Sequence, residues 1–394
     1  MTGGEQTAIL MNVSDSGFVL GASILAIVLG ALGAVVFAAG QIERADRAAF
    51  ARQCGMVAAV CAIVWILIGS SLAFGPIGNG MFGDPSLGVA LADKTIRPGT
   101  ALPEGVFILF RMAFAVLAIV LLAGAWAGRA RLLWALGFTA LWSVLVFAPI
   151  AHWLWGGGWL LTQIGAIDYG GGLVVYTSAG VSALVVALLI GPRSASADER
   201  QASISPKMAA LGAILLLIGG LALNSASSLG ANDNAAAALI SASAAIIASA
   251  FAWTTFEKAS DGAWSLMGLA KGSLAGLAAI AASSVYVSPL AAVIIGILGT
   301  IACFFAERQI TSKLGIDDTA NAFALSGVGG VVGALLLSVF LSAKMGGTGY
   351  FGAFTMFTQF AAQLIGIVAV VLWSVVGTAM AALAVSILAP MRKD

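Results

Sequence analysis

The chain has 394 residues, is 61% hydrophobic and only 9% charged, and carries a formal net charge of +1. So apolar a composition excludes an ordinary soluble domain and points to a polytopic membrane protein. The near-neutral charge balance argues against a nucleic-acid partner.

The first residues, MTGGEQTAILMNVSDSG, contain no Lys or Arg and no cleavage-type pattern. They read as a short external leader rather than a signal peptide. Apolar stretches long enough to cross a bilayer, roughly 20 residues each, follow at about 17–41, 54–75, 105–127, 132–155, 171–191, 208–229, 235–256, 266–286, 289–307, 321–343 and 355–389. The fold class is therefore an all-α membrane protein of about eleven spans, in one domain over 1–394. The last stretch is too long for a perpendicular crossing, so it tilts or projects from the membrane. The stretch Pro192–Lys207 joins two halves at about 17–191 and 208–343.

Positive charges set the orientation. One set of loops holds Arg44, Arg47, Arg52, Arg129, Arg131, Arg193, Arg200, Lys207, Lys258, Arg308, Lys313, Arg392 and Lys393, whereas the opposite loops hold only Lys94, Arg97 and Lys344. The rule that basic loops stay cytoplasmic puts the N-terminus outside and the C-terminus inside. The two five-span halves then have opposite topologies.

Two segments echo each other across these halves. DYGGGLVVYTSAGV runs from Asp168 to Val181, and DTANAFALSGVGGV from Asp318 to Val331. Each opens on an aspartate, which reads as a helix cap. Tyr176 and Ser326 stand eight positions on, and Gly180-Val181 and Gly330-Val331 four beyond that. Eight residues of helix rise about 12 Å, so Tyr176 and Ser326 approach the midplane of a roughly 30 Å core from opposite faces. Inverted repeats in membrane proteins keep their solute site at that interface.

Arg111 lies inside the third span, about 9 Å from its outer end at helical rise. An intramembrane charge marks a functional position unless it snorkels or bonds helix-end carbonyls. Cys54, Cys61 and Cys303 all fall in apolar segments and read as packing residues. One histidine, His152, and buried cysteines build no metal cluster. No cofactor and no catalytic residue is expected.

The residues also carry a resemblance. FAPIAHWLWGGGWL followed by DYGGGLVVYTSAGVSALVVALLIGPR, with SLAFG at Ser71–Gly75, LGIDD at Leu314–Asp318 and GVGGVVGALL at Gly327–Leu336, resembles the ammonium transporter family (Amt/Mep/Rh). The matches run from span two to span ten; span one, VVFAAGQIERAD at its inner end, matches poorly. The resemblance implies eleven helices in inverted five-helix repeats, a pore in each subunit of a plasma-membrane homotrimer, and a small-molecule solute. It assigns Phe110 and Phe114 to a stacked phenyl gate, Trp155 and Ser227 to an external cation site, and Asp168 to the support beneath that site. The family's small trimeric regulator is not expected to dock, because the chain has no long cytoplasmic tail.

Several positions depart from the family. Its two pore histidines fall on Tyr176 and Ser326, an uncharged glutamine on Arg111, an inner phenyl gate residue on Leu223 and a hydroxyl residue on Leu173. A histidine pair can accept and return protons near neutrality. A tyrosine, with an ordinary pKa of about 10, and a serine can hydrogen-bond a solute but cannot readily strip a proton from ammonium. Arg111 keeps its charge. At an effective dielectric near 20, it repels a cation about 8 Å away by roughly 2 kcal/mol, unless an acid such as Glu104 or Asp168 pairs with it. Three functions remain open: a channel passing ammonia or a similar neutral solute without proton relay, a non-conducting sensor, and a site for an anionic or zwitterionic solute.

Overall fold

The computed structural model describes residues 11–76, 80–85, 95–194 and 197–393. The start of the leader, residues 1–10, and Lys94 lie outside them. The described residues contain no strand, only isolated bridges between Ile96 and Pro103 and between Ala130 and Arg392.

Among the described residues, ten helices are long and apolar enough to cross a membrane. In chain order these are α1 (Val13–Ala39), α2 (Arg44–Phe74), α3 (Glu104–Trp126), α4 (Leu132–Ile164), α5 (Gly172–Ile190), α6 (Pro206–Ala226) and α7 (Asp233–Asp261). After the shorter α8 (Leu266–Ile280) come α9 (Pro289–Arg308), α10 (Phe323–Phe340) and α11 (Met356–Leu388). With α8 they make the eleven apolar helices expected from sequence. Three boundaries differ most from that expectation. Helix α2 starts at Arg44, ten residues before the expected 54, so Arg44, Arg47 and Arg52 lie on its first turns rather than in a loop. The α4 path runs on past a break at Gly156–Gly158 to Ile164, and α8 stops at Ile280, with turns replacing helix up to Val287. The 33 residues of α11 match the over-long final stretch.

Small residues decide how closely the helices pack. A Cβ on Gly33 of α1 would collide with the backbone of Leu216 in α6, and one on Gly219 of α6 with the backbone of Gly30 in α1. Such contacts let backbones approach closely where lipid removes the hydrophobic drive for association. α3 and α5 sit deepest, and the outer helices present rows of exposed apolar side chains, such as Leu372, Val376, Met380 and Leu383 on α11.

Charged side chains gather at the end of the bundle that holds Asp318. Arg193 donates to both carboxylate oxygens of Asp317, at 2.8 and 2.9 Å, and to the Gln41 carbonyl. Arg129 adds an ion pair to Asp317 at 3.7 Å, and Arg392 donates to the Ile190 carbonyl. The described part of the opposite end holds the single ion pair Arg97–Glu104, at 3.2 Å.

Candidate functional site

The echoed segments fold alike. Asp168 caps α5: its carboxylate accepts the backbone N–H groups of Gly171 (3.1 Å), Leu173 (2.9 Å) and Val174 (2.8 Å). Asp318 caps α10 through Ala322 (2.9 Å) and Phe323 (2.8 Å). Three residues after each aspartate the backbone turns left-handed, at Gly171 (φ +92°) and at Asn321 (φ +54°). Glycine and asparagine are the residues that tolerate this conformation. Each segment then enters its helix through a π-helical turn, Gly172–Thr177 or Phe323–Gly327. Tyr176 and Ser326 lie on those turns, which aim both side chains into the bundle.

Tyr176 and Ser326 line the same small cavity, of about 30 Å³, with Phe37, Leu121, Leu277 and Asn321 among its other walls. Among the described residues, neither hydroxyl has a protein hydrogen-bond partner. Each therefore keeps its donor and acceptor capacity for a guest. A cavity this size holds a molecule on the scale of one water. Histidine is absent: His152 is fully buried on α4, with Nδ1 3.0 Å from the Ala73 carbonyl.

A second, larger cavity of about 450 Å³ lies beside Asp168. Arg111, Trp155, Asp168, Tyr169, Tyr286, Phe351, Phe354 and Gln359 are among its walls. The Arg111 guanidinium stands over Trp155, 4.4 Å from the ring centroid, with Phe107, Phe110, Phe74 and Phe114 at 5.3–5.8 Å. These distances fall in the cation–π range. Arg111 has 8% of its surface exposed, and its Nε and Nη1 have no hydrogen-bond partner.

The acids proposed to neutralise Arg111 do not pair with it. Glu104 binds Arg97 instead, and Asp168 is engaged by backbone N–H groups. Two further placements differ from the sequence reading. Phe110 and Phe114 are not stacked: their rings meet edge-on at 79°, with centroids 5.1 Å apart. Ser227 is not among the walls of either cavity, and its hydroxyl donates to the Leu223 carbonyl at 2.9 Å. Leu223 is 1% exposed and packs in the core. Trp155 does wall the larger cavity, held by its indole N–H on the Asp168 carbonyl at 2.6 Å.

The model of the Ammonium Transporter Family matches residues 18–394. The chain belongs to the ammonium transporter family. It is 34% identical to an ammonium transporter of Aquifex aeolicus, over 85% of this chain and 78% of that one. It is 33% identical to an ammonium transporter of Bacillus subtilis, over 87% and 84%. Among solved structures, one described as a sensor Amt protein superposes with a TM-score of 0.89 at 26% identity, covering 99% of this chain and 96% of that one. Saccharomyces cerevisiae Mep2 gives 0.87 at 27% identity, covering 98% and 88%.

Within this ammonium-transporter fold, sequence reasoning missed Gln359 and Gln363. Gln363 of α11 is fully buried; it accepts the Ile167 N–H at 2.7 Å and donates to the Ile167 carbonyl at 3.0 Å. Gln359 donates to Gly165 at 3.1 Å. The pair clamps the loop that presents Asp168. Their signal was two glutamines, one helical turn apart, in an otherwise apolar span. The aromatic wall from Tyr286, Phe351 and Phe354 had no such signal, because it comes from connections between spans.

Proposed function

We propose that this membrane protein is a channel for ammonia, or a neutral solute of about that size, and moves no proton with it. The observation that carries this reading is the shared cavity of Tyr176 and Ser326. Two hydroxyls there offer hydrogen bonds to a water-sized guest but no group that exchanges a proton near neutrality. Arg111 reinforces the reading, since its fixed charge at the larger cavity repels a cation. The cluster of Arg129, Arg193 and Arg392 supports placing the Asp318 end in the cytoplasm. The Asp168 end, with the larger cavity, then faces outward, and the termini lie outside and inside respectively. The family's trimer and plasma-membrane location belong to the same reading, and relatives named as transporters support a non-enzymatic role.

The test is flux into proteoliposomes. Ammonia should dissipate a pH gradient faster than in empty vesicles, with no current across the membrane. A robust inward current driven by ammonium would sink the proposal.

A second reading, a non-conducting sensor, is favoured by one observation. The two cavities have no wall residue in common, and Phe110, Phe114 and Leu223 line neither. A guest in the larger cavity would then be sensed without passing inward. Flux equal to that of empty vesicles, combined with ammonium-dependent stabilisation of the protein, would select this reading.

A further inference from the structure

We propose that the larger cavity is a binding site for a small organic carboxylate, held by Arg111. The inference goes beyond solute passage and holds whether or not the pore conducts.

Arg111 is a charge with no hydrogen-bonded counter-ion. More than nine-tenths buried, it lines the cavity while Nε and Nη1 make no hydrogen bond. The facing rings stabilise the guanidinium, as in the 4.4 Å approach to Trp155, but rings bring no negative charge and accept no strong hydrogen bond. The nearest charges act on it only at a distance, the Asp168 carboxylate attracting it and the Arg97 guanidinium repelling it. Arg97 is already paired with Glu104, and the Asp168 carboxylate is held by three backbone N–H groups at the start of α5. A buried charge that lacks a partner is strongly disfavoured. A guest anion relieves it, and guanidinium–carboxylate is the pairing with the best geometric match.

The other walls decide between an organic and an inorganic anion. Leu154, Leu161, Ile167, Tyr286, Phe351 and Phe354 form an apolar part of the wall, beside the polar Asp168, Tyr169 and Gln359. A bare halide leaves those walls without contacts, whereas a carboxylate with a short carbon skeleton covers them. About 450 Å³ is within the size of ordinary small-ligand sites.

The probe is radiolabelled propionate, titrated against the full-length protein in lipid nanodiscs at constant ionic strength. Chloride and glycine serve as competitors. Saturable propionate binding is expected in the wild type. Arg111→Gln should weaken it about tenfold or more, the loss of one charge-assisted contact. Arg111→Lys should retain part of it, because an ammonium lacks the planar fork. Leu161→Trp, which leaves the guanidinium intact and fills the apolar side, should also weaken binding, so the test does not depend on folding of the Arg111 variants. No saturable binding in the wild type overturns the proposal. So does displacement by chloride at equal concentration, which would make the site one for inorganic anions. Glycine binding without propionate binding likewise overturns it, since that requires a zwitterion.

Discussion

Gly180 of α5 packs directly on Gly327 of α10, so closely that a Cβ on Gly180 would collide with the Gly327 backbone. The reverse contact exists too. A Cβ on Gly330 would collide with the Gly172 carbonyl and come within 2.6 Å of the Thr177 hydroxyl oxygen. Counted from the capping aspartates, Gly180 and Gly330 are equivalent positions, and so are Gly327 and Thr177. Each helix therefore presents the same point to the other, and the two cross where the π-helical turns end. That crossing is what brings Tyr176 and Ser326 to one cavity.

Gly180→Val and Gly330→Val should each destabilise the protein by at least about 1–3 kcal/mol, the cost of overpacking a tight contact. The opposing atoms are mostly backbone and cannot yield by a rotamer change. Gly21→Val is the control, since a Cβ there meets nothing within 4 Å. The measurement is the thermal unfolding midpoint in detergent. Equal midpoints for Gly180→Val and Gly21→Val would remove the crossing from the account.

The spans and the echo were legible because both are written in local sequence. Hydropathy marks each helix, and the paired motifs mark Asp168, Tyr176, Asp318 and Ser326. The environment of Arg111 was not legible. Sequence proximity to Glu104 suggested a salt bridge, but Arg97 takes that carboxylate from a separate connection, which also brings it near Phe74 and Phe107. The bond made by the Ser227 hydroxyl was not legible for a comparable reason: a hydroxyl at a helix end competes for its own helix's carbonyls, and no pattern of spacing reveals which side wins.

The two aspartate caps should prove energetically similar. Asp168→Asn keeps one acceptor oxygen for three N–H donors and should cost about 1–3 kcal/mol, the penalty for orphaning buried backbone donors. Asp168→Ala should cost more, and Asp318→Ala should fall in the same range, since it strands the N–H groups of Ala322 and Phe323. Chemical or thermal unfolding of the three variants checks this. If Asp168→Ala unfolds like the wild type, the carboxylate is not structural.

Acid should weaken the end of the bundle that holds Asp318 first at Asp317. Burial pushes this carboxyl up, but the hydrogen bonds from Arg193 and the charges of Arg193 and Arg129 outweigh it and hold it at about 2, below the ordinary 3.8. A carboxylate depressed on folding contributes stability that is fully present above its unfolded value and lost as pH falls through its folded one. The contribution is about 2 kcal/mol, and the window lies between pH about 4 and about 2. In Asp317→Asn the midpoint should be lower at pH 7, and this segment of its pH dependence should flatten. An unchanged slope between those values would place the acid sensitivity elsewhere.

Restoring imidazoles alone should not create an ammonium carrier. Tyr176→His with Ser326→His supplies groups that can take and return a proton near neutrality. Arg111 still stands among the rings of Trp155, Phe107, Phe110 and Phe114, and on the proposed reading a cation enters through that cavity. At roughly 2 kcal/mol of repulsion for charges about 8 Å apart, capture should be reduced by more than about tenfold. Adding Arg111→Gln removes that barrier and vacates the ring cluster. Ammonium-driven current on a supported membrane should therefore be small in the double variant and rise by about tenfold or more in the triple. Equal currents in the two would mean that Arg111 does not control entry, and the charge argument would fall while the cavity of Tyr176 and Ser326 remained.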